Sequence, residues 1–333
     1  MLYRYPYLKA NDKIAPIIFS DMELRQFEIL IAISDHGSFS GAARALSTVQ
    51  SNVSAHISRL EKELTTSLVD RSSGRLTEDG ELVVERARRV LNQVQDIAAD
   101  VNSKDADVEG ETVLGCIGTT ARWLMPKLLP ELTSKFPKIR VTIVEGSTLN
   151  LIPRLTSGSL SAGIVHLPIE DDNLQATPLF AEDLVLLVHA KHEWSKLEKI
   201  TIQELASRPL LLPPKNNSLR KILDRAAGTQ RLVLTPQAEI DGVRLLTSLA
   251  FEGFGAAVVP ATAAPGWIKG EFKRIEIPEL PRRVVGLVQR GRPLPNKSTS
   301  AVAAMIREVI ERTGDRQPGV HIGKGAFPLK RPS

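Results

Sequence analysis

Residues 40–61 constrain the fold more than any other stretch. They give a small-residue run, Ser40-Gly41-Ala42-Ala43-Arg44-Ala45-Leu46, then the break Ser47-Thr48, then a segment in which Val49, Val53, Ile57, Leu60 and Leu64 recur at i, i+4 and i+7. That period is one buried stripe of a helix, so the run reads as helix, turn, helix. The opposite face carries Ser51, Asn52, Ser54, Ala55, Ser58, Arg59 and Lys62. Small and hydrogen-bonding side chains of this kind let a helix enter a DNA major groove and meet base edges. An amphipathic helix in any bundle would show the same stripe, so the neighbouring residues decide. Before it, residues 22–31 read as a helix with Leu24, Phe27, Leu30 and Ile31 on one side, closed by the turn Asp35-His36-Gly37-Ser38-Phe39. After it, residues 68–77 give two short extended pieces around Ser72-Ser73-Gly74, a wing. Helix, helix, recognition helix and wing in that order define a winged helix-turn-helix.

The same residues resemble the N-terminal domain of the LysR-type transcriptional regulators. The matching positions are Leu24-Arg25-Gln26-Phe27, Gly37-Ser38-Phe39, Ala42-Ala43, Leu46, Gln50-Ser51, Val53-Ser54, Ile57, Arg59-Leu60-Glu61, Leu64, Leu68, Arg71 and Leu76-Thr77. Departures are Val49 and Ser51, where many members have Ser and Pro, and Val69-Asp70, where Phe is common. Valine cannot cap a helix, so Ser47 or Thr48 is expected to cap this one. Gln50, Ser51, Asn52, Ser54 and His56 are the expected groove-facing residues, with Ser38 and Thr48 beside them. Arg59, Arg71 and Arg75 are expected to hold phosphates or, on the wing, the adjacent minor groove. The resemblance implies double-stranded DNA as a partner, with RNA polymerase as a further one.

In a chain of 333 residues, 42% of them hydrophobic, two or three domains are expected. A single cysteine excludes an intrachain disulfide framework and fits a reducing compartment. No apolar run approaches the ~18 residues of a membrane span and no signal-like core opens the chain, so a cytoplasmic protein without a membrane partner is expected. The net charge of +5 permits a polyanionic partner without requiring one. Residues 1–21 hold Tyr3, Tyr5, Pro6 and Tyr7 with no helical or strand period, and are expected to be a disordered extension ahead of a winged domain over 22–80. In residues 81–102, Val83, Ala87, Val90, Val94, Ile97 and Val101 step by three and four as a heptad seam, with Thr77 as its cap and Glu78 and Asp79 in the first turn. Such a seam packs either on its own domain or on a second helix. The resemblance implies the second, a dimerisation helix in a homodimer or homotetramer.

Residues 103–111 are polar and read as a hinge. From 112 to 312, strands and helices alternate, which implies parallel sheets covered by helices. The resemblance implies a two-lobed α/β periplasmic-binding-protein-like sensor, lobe I at about 112–181 and 266–312, lobe II at about 182–265, and a disordered tail over 313–333. Leu128-Leu129-Pro130, Phe136-Pro137, Glu145-Gly146 and residues 253–260 are consistent local signatures.

Ligands of open α/β sheets bind beyond strand carboxyl ends, where helix N-termini offer N–H groups. Three turns fit: Gly118-Thr119-Thr120, Gly146-Ser147-Thr148 and Asn216-Asn217-Ser218. Thr119, Thr120, Ser147, Thr148 and Ser218 are therefore expected to line a pocket for a small, anionic effector, although each could simply cap its helix. His166 follows a strand and faces either that cleft or solvent. Ser161 stands where the family often has Asp, which leaves the hydrogen bonding of that strand open.

Enzymatic signatures are absent: no G-x-S-x-G elbow, no phosphate-binding Walker loop, and no third glycine after Gly253-Phe254-Gly255. No catalytic residue and no cofactor are expected. His189 and His192 lack a third metal ligand, and one cysteine, Cys116, rules out sensing by an intrachain disulfide. The expected function is a sequence-specific DNA-binding regulator answering to a small molecule. A cleft protein or enzyme without DNA binding, and an adaptor docking through the helix-turn-helix, are the alternatives.

Overall fold

The computed structural model describes residues 22–102, 108–292, 295–323, 325 and 327, and divides after Gln95 into two units. The extension 1–21, the hinge residues 103–107 and most of the tail beyond 323 lie outside the described residues, as do the side chains at 92, 95, 96 and 98–102, Val101 among them.

In the first unit, α1 (Leu24–His36), α2 (Phe39–Ala45) and α3 (Gln50–Leu64) enclose a core of Ile29, Leu30, Ile33, Ala42, Val53, Ile57, Leu60, Leu68 and Val69. Burying each branched side chain contributes roughly 1.5–3 kcal/mol. Two expected core positions are corrected. Val49 is 64% exposed and Leu24 41%. Both sit at helix starts, Val49 as the N-cap of α3 with extended backbone, where helical period no longer dictates direction. The buried stripe of α1 is Gln26, Ile29, Leu30 and Ile33 instead. Val69 and Leu76 bridge antiparallel to make the wing, turning at Gly74 with φ +69°. Gly80, in the first turn of α4 (Glu78–Asn102), sits so close beneath the Leu68 carbonyl that a Cβ there would strike it.

The heptad seam on α4 is split. Val84 and Ala87 are buried and Val83 half-buried, with Val83 and Val84 in the winged-domain core, so this end of the helix covers its own domain. Val90, Val94 and Ile97 stay exposed. The expected dimer seam is therefore shortened at its N-terminal end.

The second unit carries two sheets. In lobe I, β1 (Gly110–Cys116), α5 (Gly118–Lys135), β2 (Ile139–Glu145), α6 (Thr148–Thr156), β3 (Ala162–Leu167) and β4 (Leu174–Glu182) precede the crossing into lobe II. There, β5 (Leu184–His189), α7 (Ile202–Ala206), β6 (Leu210–Leu212), α8 (Ser218–Thr229), β7 (Pro236–Glu239), α9 (Val243–Phe251), β8 (Ala257–Pro260) and β9 (Phe272–Glu276) follow. The chain returns through β10 (Arg283–Arg290), α10 (Lys297–Thr313) and β11 (Val320–His321). The sheet orders are β11-β4-β10-β3-β1-β2 and β7-β6-β8-β5-β9.

Three expectations change here. The sheets are mixed, because the returning β10 runs antiparallel to β3 and β4, and β5 antiparallel to β8 and β9. Lobe II extends past 265, since β9 pairs with β5. The segment after 312 is ordered as far as β11, which pairs with β4 and seats His321 Nε2 2.8 Å from Asp183. Lobe I packs Trp123 edge-on against Phe180 at 5.6 Å, among Leu114, Leu124, Leu128 and Ile306. The lobe II sheet is buried on both faces, Leu184, Leu186 and Val188 on one and Val185 and Leu187 on the other. Ser161 does the work left open by its sequence, accepting a hydrogen bond from Val113 N at 3.1 Å.

Candidate nucleic-acid interface and effector cleft

On α3, Gln50, Ser51, Asn52, Ala55, Ser58 and Arg59 are exposed on the face opposite Val53, Ile57 and Leu60. Asn52 Nδ2 donates to Thr48 Oγ1 at 3.0 Å, and the Ser40 hydroxyl to Gln50 Oε1 at 3.0 Å. The expected cap is corrected: neither Ser47 nor Thr48 caps α3, Val49 being the N-cap without a side-chain bond and Ser47 lying at φ +52°. Ser38 instead caps α2 through Gly41 N at 3.0 Å. His56 is half-buried with Nδ1 sealed and unpartnered, because it falls three residues after Val53 and four before Leu60, on the core's edge. It does not stand free on the groove face.

Arg71 lies back across the recognition helix. Its guanidinium donates to Ser54 Oγ at 3.2 Å, Ser58 Oγ at 3.1 Å and Glu61 at 2.7 Å, and sits 5.1 Å from the Phe39 ring centre. Glu61 also accepts from Leu68 N at 2.9 Å and Val69 N at 3.2 Å, so one carboxylate joins the helix, the wing root and Arg71. Ser54 is half-buried in this cluster. Arg75 is exposed on the wing, whose turn is held by Asp70 accepting from Ser72 N, Ser72 Oγ and Ser73 Oγ at 2.7–2.8 Å. Those bonds, the Ser72 hydroxyl foremost, lower the Asp70 pKa to about 2.

Between the lobes lies a cavity of about 270 Å³. The N-termini of α5, α6, α8 and α9 open onto it through Gly118 and Thr119, Ser147 and Thr148, Ser218, and Gly242 and Val243. The first N–H groups of a helix have no intrahelical acceptor and carry partial positive charge, so converging N-termini favour an anion. Of the expected lining residues Thr119, Ser147, Thr148, His166 and Ser218 reach the cavity; Thr120 is corrected, being fully buried and outside the lining. Thr120 is the third residue of α5 and turns into the protein instead, where its Oγ1 finds no partner.

Three of the hydroxyls share a pattern. Thr119 Oγ1 accepts from Arg283 at 3.3 Å, Ser147 Oγ from Asn150 N at 3.3 Å and Thr148 Oγ1 from His166 N at 3.1 Å. With an acceptor lone pair committed, each keeps its O–H to donate.

Residues missed in the sequence complete the site. Arg122, Arg244 and Arg283 line the cavity together with Glu145 and Asp241. Arg283 is 6% exposed and paired with the fully buried Glu182, Nε to Oε1 at 2.8 Å, while Thr262 donates to Glu182 Oε2 at 2.6 Å. Arg122 stacks 5.0 Å from the Trp267 ring centre. His166 is held well below the usual histidine range, by burial first and then by the charge of Arg283, so it is neutral in the cleft. No group of three or more metal-ligating side chains occurs among the described residues.

A helix-turn-helix with its wing, followed by a two-lobed cleft lined with helix N-termini, defines a ligand-responsive DNA-binding protein. Residues 24–81 match the family described as "Bacterial regulatory helix-turn-helix protein, lysR family", and residues 105–311 match the "LysR substrate binding domain". The chain is 31% identical over 291 residues, 83% of its length and 92% of the relative's, to the "DNA-binding transcriptional dual regulator OxyR" of Escherichia coli K12. It is 29% identical over 302 residues, 87% of its length and 97% of the relative's, to a "Hydrogen peroxide-inducible genes activator" of Pectobacterium carotovorum. A full-length CbnR structure shares the fold at TM-score 0.66 and 20% identity, covering 86% of this chain and all of that one. The chain belongs to the LysR family: it is a LysR-type DNA-binding transcriptional regulator with an effector-binding domain, and members of this family act as regulators rather than enzymes.

Proposed function

We propose that the effector is a small carboxylate bound between the lobes, and that a dimer built on α4 carries two winged domains to an interrupted palindrome. The observation that carries the ligand class is the convergence of four helix N-termini and three arginine side chains on one cavity of about 270 Å³. That space suits a small metabolite. Hydrogen peroxide, the inducer named for some relatives, fits this chain poorly. Its one cysteine, Cys116, is fully buried, and burial pushes the thiol pKa up, away from the reactive thiolate.

On the DNA side, Gln50, Ser51 and Asn52 read base edges while Arg59, Arg71 and Arg75 contact phosphates or the minor groove. Val90, Val94 and Ile97 on α4 supply the exposed apolar seam for a second copy. Two-fold symmetry then sets half-sites about one helical turn, ~34–36 Å, or a multiple of it apart. RNA polymerase contact and a cytoplasmic location follow from that role. No helix among the described residues is long and apolar enough to cross a membrane.

The test is a thermal-shift screen of the full chain against small carboxylates and their neutral amides, joined to a gel shift with the DNA upstream of its own gene. A ligand that binds the folded form raises its melting point with concentration. Stabilisation by acids and not by amides is the expected result. Stabilisation by amides alone, or by cations, overturns the carboxylate reading.

A further inference from the structure

The cavity between the lobes already holds a carboxylate. Glu145 ends β2 on lobe I, opposite Cys116 of β1, and its side chain lies over the first turn of α5: a Cβ on Gly118 would come 2.5 Å from Glu145 Oε1. The same oxygen is paired with the guanidinium of Arg244, in the first turn of α9 on lobe II. One anionic side chain thus lies against the positive end of one helix and reaches across the cleft to an arginine at the positive end of another. Glu145, Arg244, Gly118 and Thr119 all line the cavity.

The contact is built to exchange. The Arg244 side chain is 72% exposed and that of Glu145 48%, so water reaches both ends and screens the pair. The Glu145 backbone is fixed by strand pairing, yet its side chain has solvent to swing into. Arg283, by contrast, is locked to buried Glu182 and cannot be handed over.

We propose that Glu145 is an internal occupant of the effector site, displaced when the effector binds. The ligand's carboxylate takes the α5 N-terminus and Arg244, and Glu145 turns outward. Glu145 therefore acts as a built-in competitor that sets how tightly a carboxylate must bind. The link between the lobes passes from a protein side chain to the ligand. This inference rests on the carboxylate reading of the cleft and adds which residue opposes binding.

The experiment is calorimetric titration of the full chain with acetate, succinate and benzoate, each against its amide, in the wild type and in Glu145→Gln, Glu145→Asp and Arg244→Met. Glu145→Gln removes the competing charge, and Glu145→Asp keeps it one methylene short of Arg244. Both should bind the acids more tightly, by roughly two- to fivefold for a surface pair. Arg244→Met should bind them more weakly, while all variants keep the wild-type circular dichroism. Acid binding by the wild type with no gain in Glu145→Gln and Glu145→Asp overturns the competitor and leaves the cleft reading intact. A gain in those variants with no loss in Arg244→Met overturns the handover. Failure of every acid to bind every form removes the carboxylate reading and this inference together.

Discussion

Removing Glu182 leaves a nearly buried charge without its partner. Glu182 and Arg283 face each other across β4 and β10 at the point where the chain passes between lobes, 0% and 6% exposed. In Glu182→Ala the guanidinium keeps only its 3.3 Å contact with Thr119 Oγ1, and the Thr262 hydroxyl loses its acceptor. Breaking one side of a buried ion pair costs about 3–5 kcal/mol, because the remaining charge is uncompensated. In a unit of this size each kcal/mol moves the melting point by about 2–4 °C, so a fall of roughly 6–20 °C is expected. Scanning calorimetry of the full chain is the assay, following the effector-domain transition alone because a two-unit chain has no single unfolding free energy. The paired control is Glu182→Met with Arg283→Met, which removes both charges and should recover most of the loss, since well-packed apolar replacements of buried pairs are often neutral. A loss under about 1 kcal/mol in Glu182→Ala would mean the guanidinium is solvated by other means. A double variant as unstable as the single one would show that shape, not charge compensation, holds the crossing.

Further outcomes concern the reading head. Arg71→Ala should weaken binding to specific and random DNA alike and lower the salt slope by about 0.9 per lost phosphate contact, measured by filter binding across salt concentrations; an unchanged slope would place Arg71 off the backbone. Asn52→Ala should relax sequence preference instead, and equal losses on both DNAs would remove it from base readout. The Asp70 carboxyl should titrate near pH 2 by NMR. Its folded pKa lies below the ordinary 3.8, so its hold on the wing turn is complete above about pH 4 and lost as pH falls towards 2. In Ser72→Ala that midpoint should rise. Ile97→Asp, at the most exposed of the described apolar positions on α4, should shift the full chain towards monomer in sedimentation velocity, and an unmoved distribution would place the dimer seam elsewhere.

The winged domain was legible because its contacts are local. Val53, Ile57 and Leu60 repeat within one helix, and the wing closes over eight residues from Val69 to Leu76. Errors came where a period stops applying. Val49 is the extended N-cap, and His56 falls between two core positions that the period itself marked. In the effector domain, the sequence hardly marks β4, because residues 174–182 hold Pro178 and lack clean alternation. β9, Phe-Lys-Arg-Ile-Glu, is short, and only its pairing with β5 assigns it to lobe II. Arg283 and Glu182 are 101 residues apart, and nothing near either residue announces the other.

The hydroxyls at the cleft show how a correct location can carry a mistaken role. Read from sequence, Thr119, Ser147 and Thr148 are either caps or ligand groups, as though one use excluded the other. In the structure each accepts from a protein N–H, at Arg283, Asn150 and His166 respectively. A hydroxyl that accepts from a donor is polarised and gives up its own proton more readily as a hydrogen bond. Accepting these bonds, of which only that to Ser147 caps a helix, therefore prepares the three groups to donate towards the cavity, where backbone N–H groups and Arg244 also point positive charge. Asn217 is the counter-example: its Oδ1 accepts from Leu219 N at 2.9 Å to cap α8, and an amide oxygen has no proton to pass on. The cleft thus offers donors from the lobe I turns through both side chain and backbone. On the lobe II side, where α9 starts at Gly242 without a side-chain cap, it offers backbone N–H groups, Arg244 and Ser218. A carboxylate with one oxygen on each side satisfies both kinds of donor at once, which a neutral amide of the same shape cannot do.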